Sequence, residues 1–99
     1  MKIVGHGTGT ISSTAKKVNE LGVSKAQVDT ARWLLLTVET DDVRYRANGE
    51  APTASLGHRL YDGDVLDWTD PNGDYSSMIK ELRLIKVTND ATVFVTLYS

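Results

Sequence analysis

Near the C-terminal end the residues Ala91-Thr92-Val93-Phe94-Val95-Thr96-Leu97-Tyr98 alternate strictly between two sets. Successive side chains of an extended chain point to opposite faces, so Ala91, Val93, Val95 and Leu97 share one face and Thr92, Phe94, Thr96 and Tyr98 the other. A helical repeat would scatter both sets. β-branched and aromatic residues also fit a pleated surface. Both faces carry bulk. One is expected to meet the core and the other a second layer or another subunit, with Phe94 and Tyr98 as contacts. A strand of this kind cannot stand alone, so the rest of the chain must supply its neighbours.

Segments of the right kind recur at short spacing. Leu82 to Val87 reads as a strand with a phase slip at Leu84-Ile85, which suggests a bulge, and Asn89-Asp90 turns it into the final strand. Trp33 to Thr40 reads as a strand buried on both faces at its start. Val43-Arg44-Tyr45-Arg46 alternates and runs into the turn Ala47-Asn48-Gly49-Glu50. Pro52 to Leu60 reads as extended with a break at Gly57, and Val65 to Trp68 as a short strand after the turn Tyr61-Asp62-Gly63-Asp64. Asp70-Pro71-Asn72-Gly73-Asp74 is the strongest turn, and Tyr75 to Ile79 has room for one helical turn capped by Asp74. Ser24-Lys25-Ala26-Gln27 has the form of a capping box that opens a short helix.

The opening stretch, Gly5-His6-Gly7-Thr8-Gly9-Thr10, offers little side-chain bulk, and glycine there costs backbone entropy. It reads as an extended arm or a loose edge strand, with Ile3 and Val4 placed to dock on a neighbour's sheet edge. The pattern predicts an all-β fold, a small antiparallel β-sandwich or barrel of jelly-roll-like type. An extended N-terminal arm over residues 1–12 precedes a single β domain over residues 13–99.

Size and charge restrict the function. A chain of 99 residues suits one domain, and such a domain hides roughly 65% of its unfolded surface. That is a modest core, which makes a partner surface relevant to stability. Acidic side chains number 13 against 11 basic ones, and the basic residues are scattered along the sequence. Nucleic acid is therefore not the expected partner. The absence of Cys excludes thiol catalysis, thiolate zinc sites and a disulfide scaffold. No apolar run approaches the ~20 residues of a membrane span, and Met1 to His6 does not read as a signal peptide.

Several candidate chemistries compete with plainer readings. The glycines Gly5, Gly7 and Gly9 lack the spacing and context of a dinucleotide loop. The two histidines, His6 and His58, have no nucleophile elbow to serve, and Ser55 is close to His58 in sequence only. No enzyme, cofactor or metal is expected. Asp62, Asp64, Asp67, Asp70 and Asp74 crowd one segment; turn formation explains them, with calcium as the alternative. Trp33, Trp68, Tyr45, Tyr61, Tyr75, Phe94 and Tyr98 fill a β core or line a carbohydrate platform. On the Val43–Arg46 strand, Arg44 and Arg46 share one face and Val43 and Tyr45 the other. The arginines read as a solvated face or as partner contacts.

The run Leu36-Thr37-Val38-Glu39-Thr40-Asp41-Asp42-Val43-Arg44-Tyr45-Arg46, followed by Gly49, Pro52-Thr53-Ala54 and Gly57-His58, resembles small all-β virion proteins of tailed bacteriophages. The likeness extends to the final Leu82–Val87 and Ala91–Tyr98 hairpin and leaves Val18 to Ala31 outside it. The resemblance implies a structural virion protein without enzymatic activity. It would be of the capsid-decorating (cement) or head-fibre type, an oligomer with a trimer favoured. It would sit on the capsid surface against the major capsid protein or another virion protein. The alternative is a fibre or tail module that binds host-surface carbohydrate. The partner-binding residues expected from the chain's own pattern are Ile3, Val4, Arg44, Tyr45, Arg46, Phe94 and Tyr98.

Overall fold

The computed structural model describes residues 1–99. Eight strands are present: β1 Ile3–Ile11, β2 Lys16–Lys17, β3 Trp33–Glu39, β4 Val43–Arg46, β5 His58–Leu60, β6 Val65–Trp68, β7 Arg83–Lys86 and β8 Ala91–Tyr98. Two short helices interrupt them, α1 Lys25–Thr30 and α2 Ser76–Glu81. One four-stranded sheet has the order β1-β8-β3-β6 and the other β2-β7-β4-β5. Every pairing is antiparallel: β1 with β8, β2 with β7, β3 with β6 and β4 with β5, joined within the sheets by β3 with β8 and β4 with β7. The first four pairs describe one long hairpin, folded at β4–β5 and rolled so that its successive strand pairs fall on two facing sheets. That is the jelly-roll arrangement of a β-sandwich.

The final strand behaves as its alternation demands. Ala91, Val93, Val95 and Leu97 are buried, and the intervening residues face outward. β8 is central in its sheet, flanked by β1 and β3. Its inner row meets Leu34, Leu36 and Val38 from β3 by direct register. The opposing sheet contributes Val43, Leu60 and Leu84, all buried. The two connections between sheets complete the core. The first carries Leu21 and Val28, and the second carries Ile79 and Leu82. The helix α1 starts where the capping box falls: Gln27 N–H donates to Ser24 Oγ at 3.1 Å, and Ser24 N–H donates to Gln27 Oε1 at 2.8 Å. It packs on α2.

The N-terminal segment differs from a free arm. Residues 3–11 form the edge strand β1, in register with β8 from Ile3 opposite Tyr98 to Ile11 opposite Ala91, with one irregularity between Ile3 and Gly5. Domain and arm are therefore a single sheet. The glycines are the reason this strand fits. Gly5, Gly7 and Gly9 sit opposite Leu97, Val95 and Val93 on the inner face. The backbone of Leu21 and Gly22 crosses directly over Gly7, Leu21 packs on Gly9, and the Gln27 side chain covers Gly5. A Cβ on Gly7 would lie 2.3 Å from the Leu21 carbonyl oxygen. Gly22 has φ of 77°, the left-handed region that favours glycine. At Gly7 main chain thus packs against main chain.

Three further expectations shift. The strand β7 keeps continuous register with β4, so no bulge is present there. The phase slip arises because Leu82 ends α2 while Leu84 points into the sandwich and Ile85 away from it. The stretch from Pro52 is extended only at His58–Leu60; before that, Thr53 and Leu56 pair across a tight turn. The helix α2 runs to Glu81, with Ser76 N–H donating to Asp74 Oδ1 at 3.0 Å. No helix is long and apolar enough to cross a membrane.

Candidate functional site

The strand β4 organises two surfaces at once. Its inward residues are Val43 and Tyr45, and its outward residues Arg44 and Arg46. On the inner side, Val43 is fully buried, while Tyr45 stands at the end of the sandwich where the two sheets separate. Its ring centre lies 5.4 Å from that of His58, its direct partner on β5. Across the gap, Tyr45 meets Trp68 of β6 edge to face at 6.3 Å. Trp68 in turn stacks on Tyr75, 5.9 Å away and inclined by only 6°. Burial pushes the Tyr45 phenol up from its ordinary pKa. Tyr45, His58 and Trp68, with Leu56 and Asn48 at the rim, line an open cleft of about 610 Å³.

Two devices hold the cleft's far wall. Arg44 donates through Nε to the Ala54 carbonyl at 3.0 Å and through Nη1 to the Gly57 carbonyl at 2.9 Å. Gly57 adopts φ of 130°, and a Cβ there would sit 2.9 Å from the Tyr45 carbonyl oxygen. The Val43–Arg46 strand, the Pro52-Thr53-Ala54 segment and Gly57-His58 are therefore one spatial unit. The arginine of the strand fastens the loop that carries the other two motifs.

The outward side of β4 belongs to a basic surface. Directly opposed residues in a sheet share a face. Lys17 lies opposite Arg83, Arg83 opposite Arg46, and Arg44 opposite Arg59. All five are turned away from the core, because Val43, Leu60 and Leu84 occupy the inner positions. Arg46 pairs with Glu50 at 2.8 Å and Arg59 with Asp42 at 2.7 Å. The ion pairs leave Lys17, Arg44 and Arg83 without a carboxylate. The Arg83 Nε is buried with no hydrogen-bond partner. The basic residues look scattered in sequence, yet the fold gathers five on one sheet face of a chain with net charge -2.

The expected contact residues separate into four places. Arg44 and Arg46 are on the basic face, and Tyr45 is in the cleft. Ile3, Phe94 and Tyr98 lie on the outer face of the first sheet, where Phe94 is 45% exposed and Ile3 58% exposed. Val4 packs against the core. Trp33 lies opposite Tyr98 on the same outer face, and its indole N–H donates to the Asp70 carbonyl at 2.8 Å.

Sequence reasoning missed Lys17, Arg59 and Arg83, because only the strand register brings them beside Arg44 and Arg46. It gave Asn48 only a turn to make and His58 only the place of a surface or interface histidine.

The aspartates act in turns. Asp64 Oδ2 accepts from Tyr61 N–H at 2.8 Å, Asp70 Oδ1 from Asn72 N–H at 3.0 Å, and Asp67 from the Thr69 hydroxyl. No three His, Asp or Glu side chains converge in a group able to hold a metal ion. His6 lies outward on β1, far along the chain from Ser55 and His58, which themselves share no hydrogen bond.

Fold and surfaces together define the class: an eight-stranded jelly-roll module with a basic sheet face and an aromatic cleft at one end. Comparison with known proteins returns no matching family model, no matching curated protein and no matching solved structure.

Proposed function

We propose that this chain is a structural protein of a tailed-bacteriophage particle, of the capsid-decorating type, that docks its basic sheet face on an acidic surface of the assembled shell. The observation that carries this reading is the collection of Lys17, Arg44, Arg46, Arg59 and Arg83 on one outward face. Arginine forks suit carboxylate partners; Lys17 and Arg83 have no carboxylate within the chain, while Arg46 and Arg59 exchange Glu50 and Asp42 for carboxylates of the shell. Arg44, Arg46 and Arg83 of this face lie in the segments that carry the likeness to phage virion proteins, and Arg44 pins the loop that carries the rest of the motif. Binding only to the assembled lattice stabilises that lattice by mass action. In the same reading the outer face of the first sheet, with Ile3, Phe94 and Tyr98, joins copies of the chain into a trimer.

The test is co-sedimentation of the purified chain with empty capsids at two salt concentrations, beside Arg46→Glu and Lys17→Glu variants. Binding is expected to fall with salt and to fall further in both variants, with Lys25→Ala unchanged. Salt-independent binding, or equal affinity across all variants, overturns the proposal. Light scattering of the free chain tests the oligomer, and a stable monomer at micromolar concentration removes the trimer.

A further inference from the structure

We infer that the cleft between Tyr45, His58 and Trp68 is a binding site for a neutral saccharide. The inference does not rest on capsid docking: the cleft lies on the inward side of β4 and the basic face on its outward side, with Arg46 alone bordering both.

The cleft sits where inward-facing aromatic residues of both sheets reach solvent. Trp68 is held on one side by the stacked Tyr75 ring and on another by the edge-on Tyr45. The indole is therefore fixed in orientation before any ligand arrives, which lowers the entropy cost of binding. Trp68 stays partly exposed and lines the cleft, so the part of the indole that its two neighbours leave uncovered accepts the C–H-bearing face of a pyranose ring. The exposed Leu56 side chain extends the apolar rim.

The polar groups are set beside this platform. Asn48 Oδ1 accepts from Glu50 N–H at 3.2 Å, and its Nδ2 makes no bond within the chain. His58 makes no side-chain hydrogen bond within the chain and borders the same space. These are donors and acceptors for hydroxyl groups, spaced around an aromatic surface, which is the composition of a small-ligand site.

Charge decides between ligand classes. The one charged side chain lining the cleft, Arg46, is neutralised by Glu50 at 2.8 Å. A sialylated or phosphorylated ligand has to compete with Glu50 for Arg46, and an ammonium ligand finds no carboxylate among the cleft's lining residues. A flat aromatic ligand would stack on the rings but would leave the hydrogen-bonding groups of Asn48 and His58 unused. A neutral sugar satisfies both kinds of group.

The experiment uses the full chain carrying Trp33→Phe, so that Trp68 is the sole tryptophan. The probes are maltotriose, cellotriose and N-acetylated chitotriose, with a sialylated trisaccharide as the charged comparison. Readouts are tryptophan emission and backbone amide shifts by NMR. At least one neutral probe is expected to give a saturable change, with shifts clustered at residues 45–48, 56–58 and 68. Asn48→Ala and His58→Ala, both at the exposed rim, are expected to weaken binding about tenfold each. Trp68→Phe is expected to retain part of it. Asn48→Ala is expected to leave capsid co-sedimentation intact, which separates this site from the basic face. Absence of saturable binding of every neutral probe up to about 10 mM overturns the inference. Shifts that map elsewhere, rim variants that bind like the parent, or binding confined to the sialylated probe do so as well.

Discussion

The Arg44 guanidinium donates through Nη1 to the Gly57 carbonyl at 2.9 Å, so a side chain of the second sheet's outer face sets the position of the loop beneath which the cleft opens. Basic face and aromatic cleft are thereby mechanically linked through Arg44, whereas Arg46, which borders both, is tied only to the exposed Glu50.

The two arginines should therefore respond differently to truncation. Arg44→Ala removes two charge-assisted bonds to carbonyls and is expected to lower stability by about 1.5–3 kcal/mol. Arg46→Ala is expected to cost under about 1 kcal/mol, because Glu50 is solvent-exposed. Urea denaturation measures both. Faster amide exchange at Leu56 in the Arg44 variant alone will show that the loop has been released.

Gly7→Ala is expected to destabilise at or beyond the upper end of the ~1–3 kcal/mol typical of overpacking. The obstructing atom is a main-chain oxygen that cannot rotate away. His6→Ala, facing outward on the same strand, should fall within about 0.5 kcal/mol of the parent. Thermal melts of the pair give the comparison.

Removing residues 1–9 is expected to abolish the cooperative unfolding transition. The truncation strips β8 of one neighbour along nearly its whole length and uncovers Leu21. Circular dichroism with urea titration checks this; a truncated chain that still melts cooperatively would restore the view of the segment as a dispensable arm.

The acid limb of stability should depend on Asp42. The hydrogen bond from Arg59 and the one from the Asp62 amide hold its carboxyl below the usual carboxylate range. The folded pKa is thus lower than the unfolded value of ~3.9. Its contribution is complete above that value and is lost as pH falls through the folded pKa. Asp74, held down chiefly by the Ser76 amide and hydroxyl, acts in the same direction. Melts between about pH 2 and 6 should show the parent and Asp42→Asn converging at the acid end.

Much of this architecture is legible in particular residues. The alternation from Ala91 to Tyr98 sorts the side chains onto two faces, and the aliphatic row Ala91, Val93, Val95 and Leu97 is the one the core takes. Ser24 and Gln27 announce their reciprocal cap because that bond is local. The strand at residues 3–11 is harder to see. Its inward positions are glycines, and the reason for them lies in the Leu21–Gly22 backbone, which no local pattern reveals. The basic face is hidden for the same kind of reason. Lys17, Arg59 and Arg83 become neighbours of Arg44 and Arg46 only through register between strands distant in sequence. The cleft combines both cases: Trp68 and Tyr45 are visible as aromatics, but their meeting depends on how the two sheets diverge.

The rolled-hairpin order also governs how the chain is made. Strand pairs nest outward from β4 with β5, and β8, the strand on which β1 and β3 both depend, is the last of the eight to leave the ribosome. Long-range pairing of this kind is slow and leaves early strands exposed while they wait. Residues 3–11 wait longest. An extended segment dense in large apolar side chains would invite pairing with other nascent chains, but one with glycine at every second position through Gly9 is a poor template for such aggregates. The same glycines that admit the Leu21–Gly22 backbone in the finished fold thus keep the first-made strand unreactive until its partner exists.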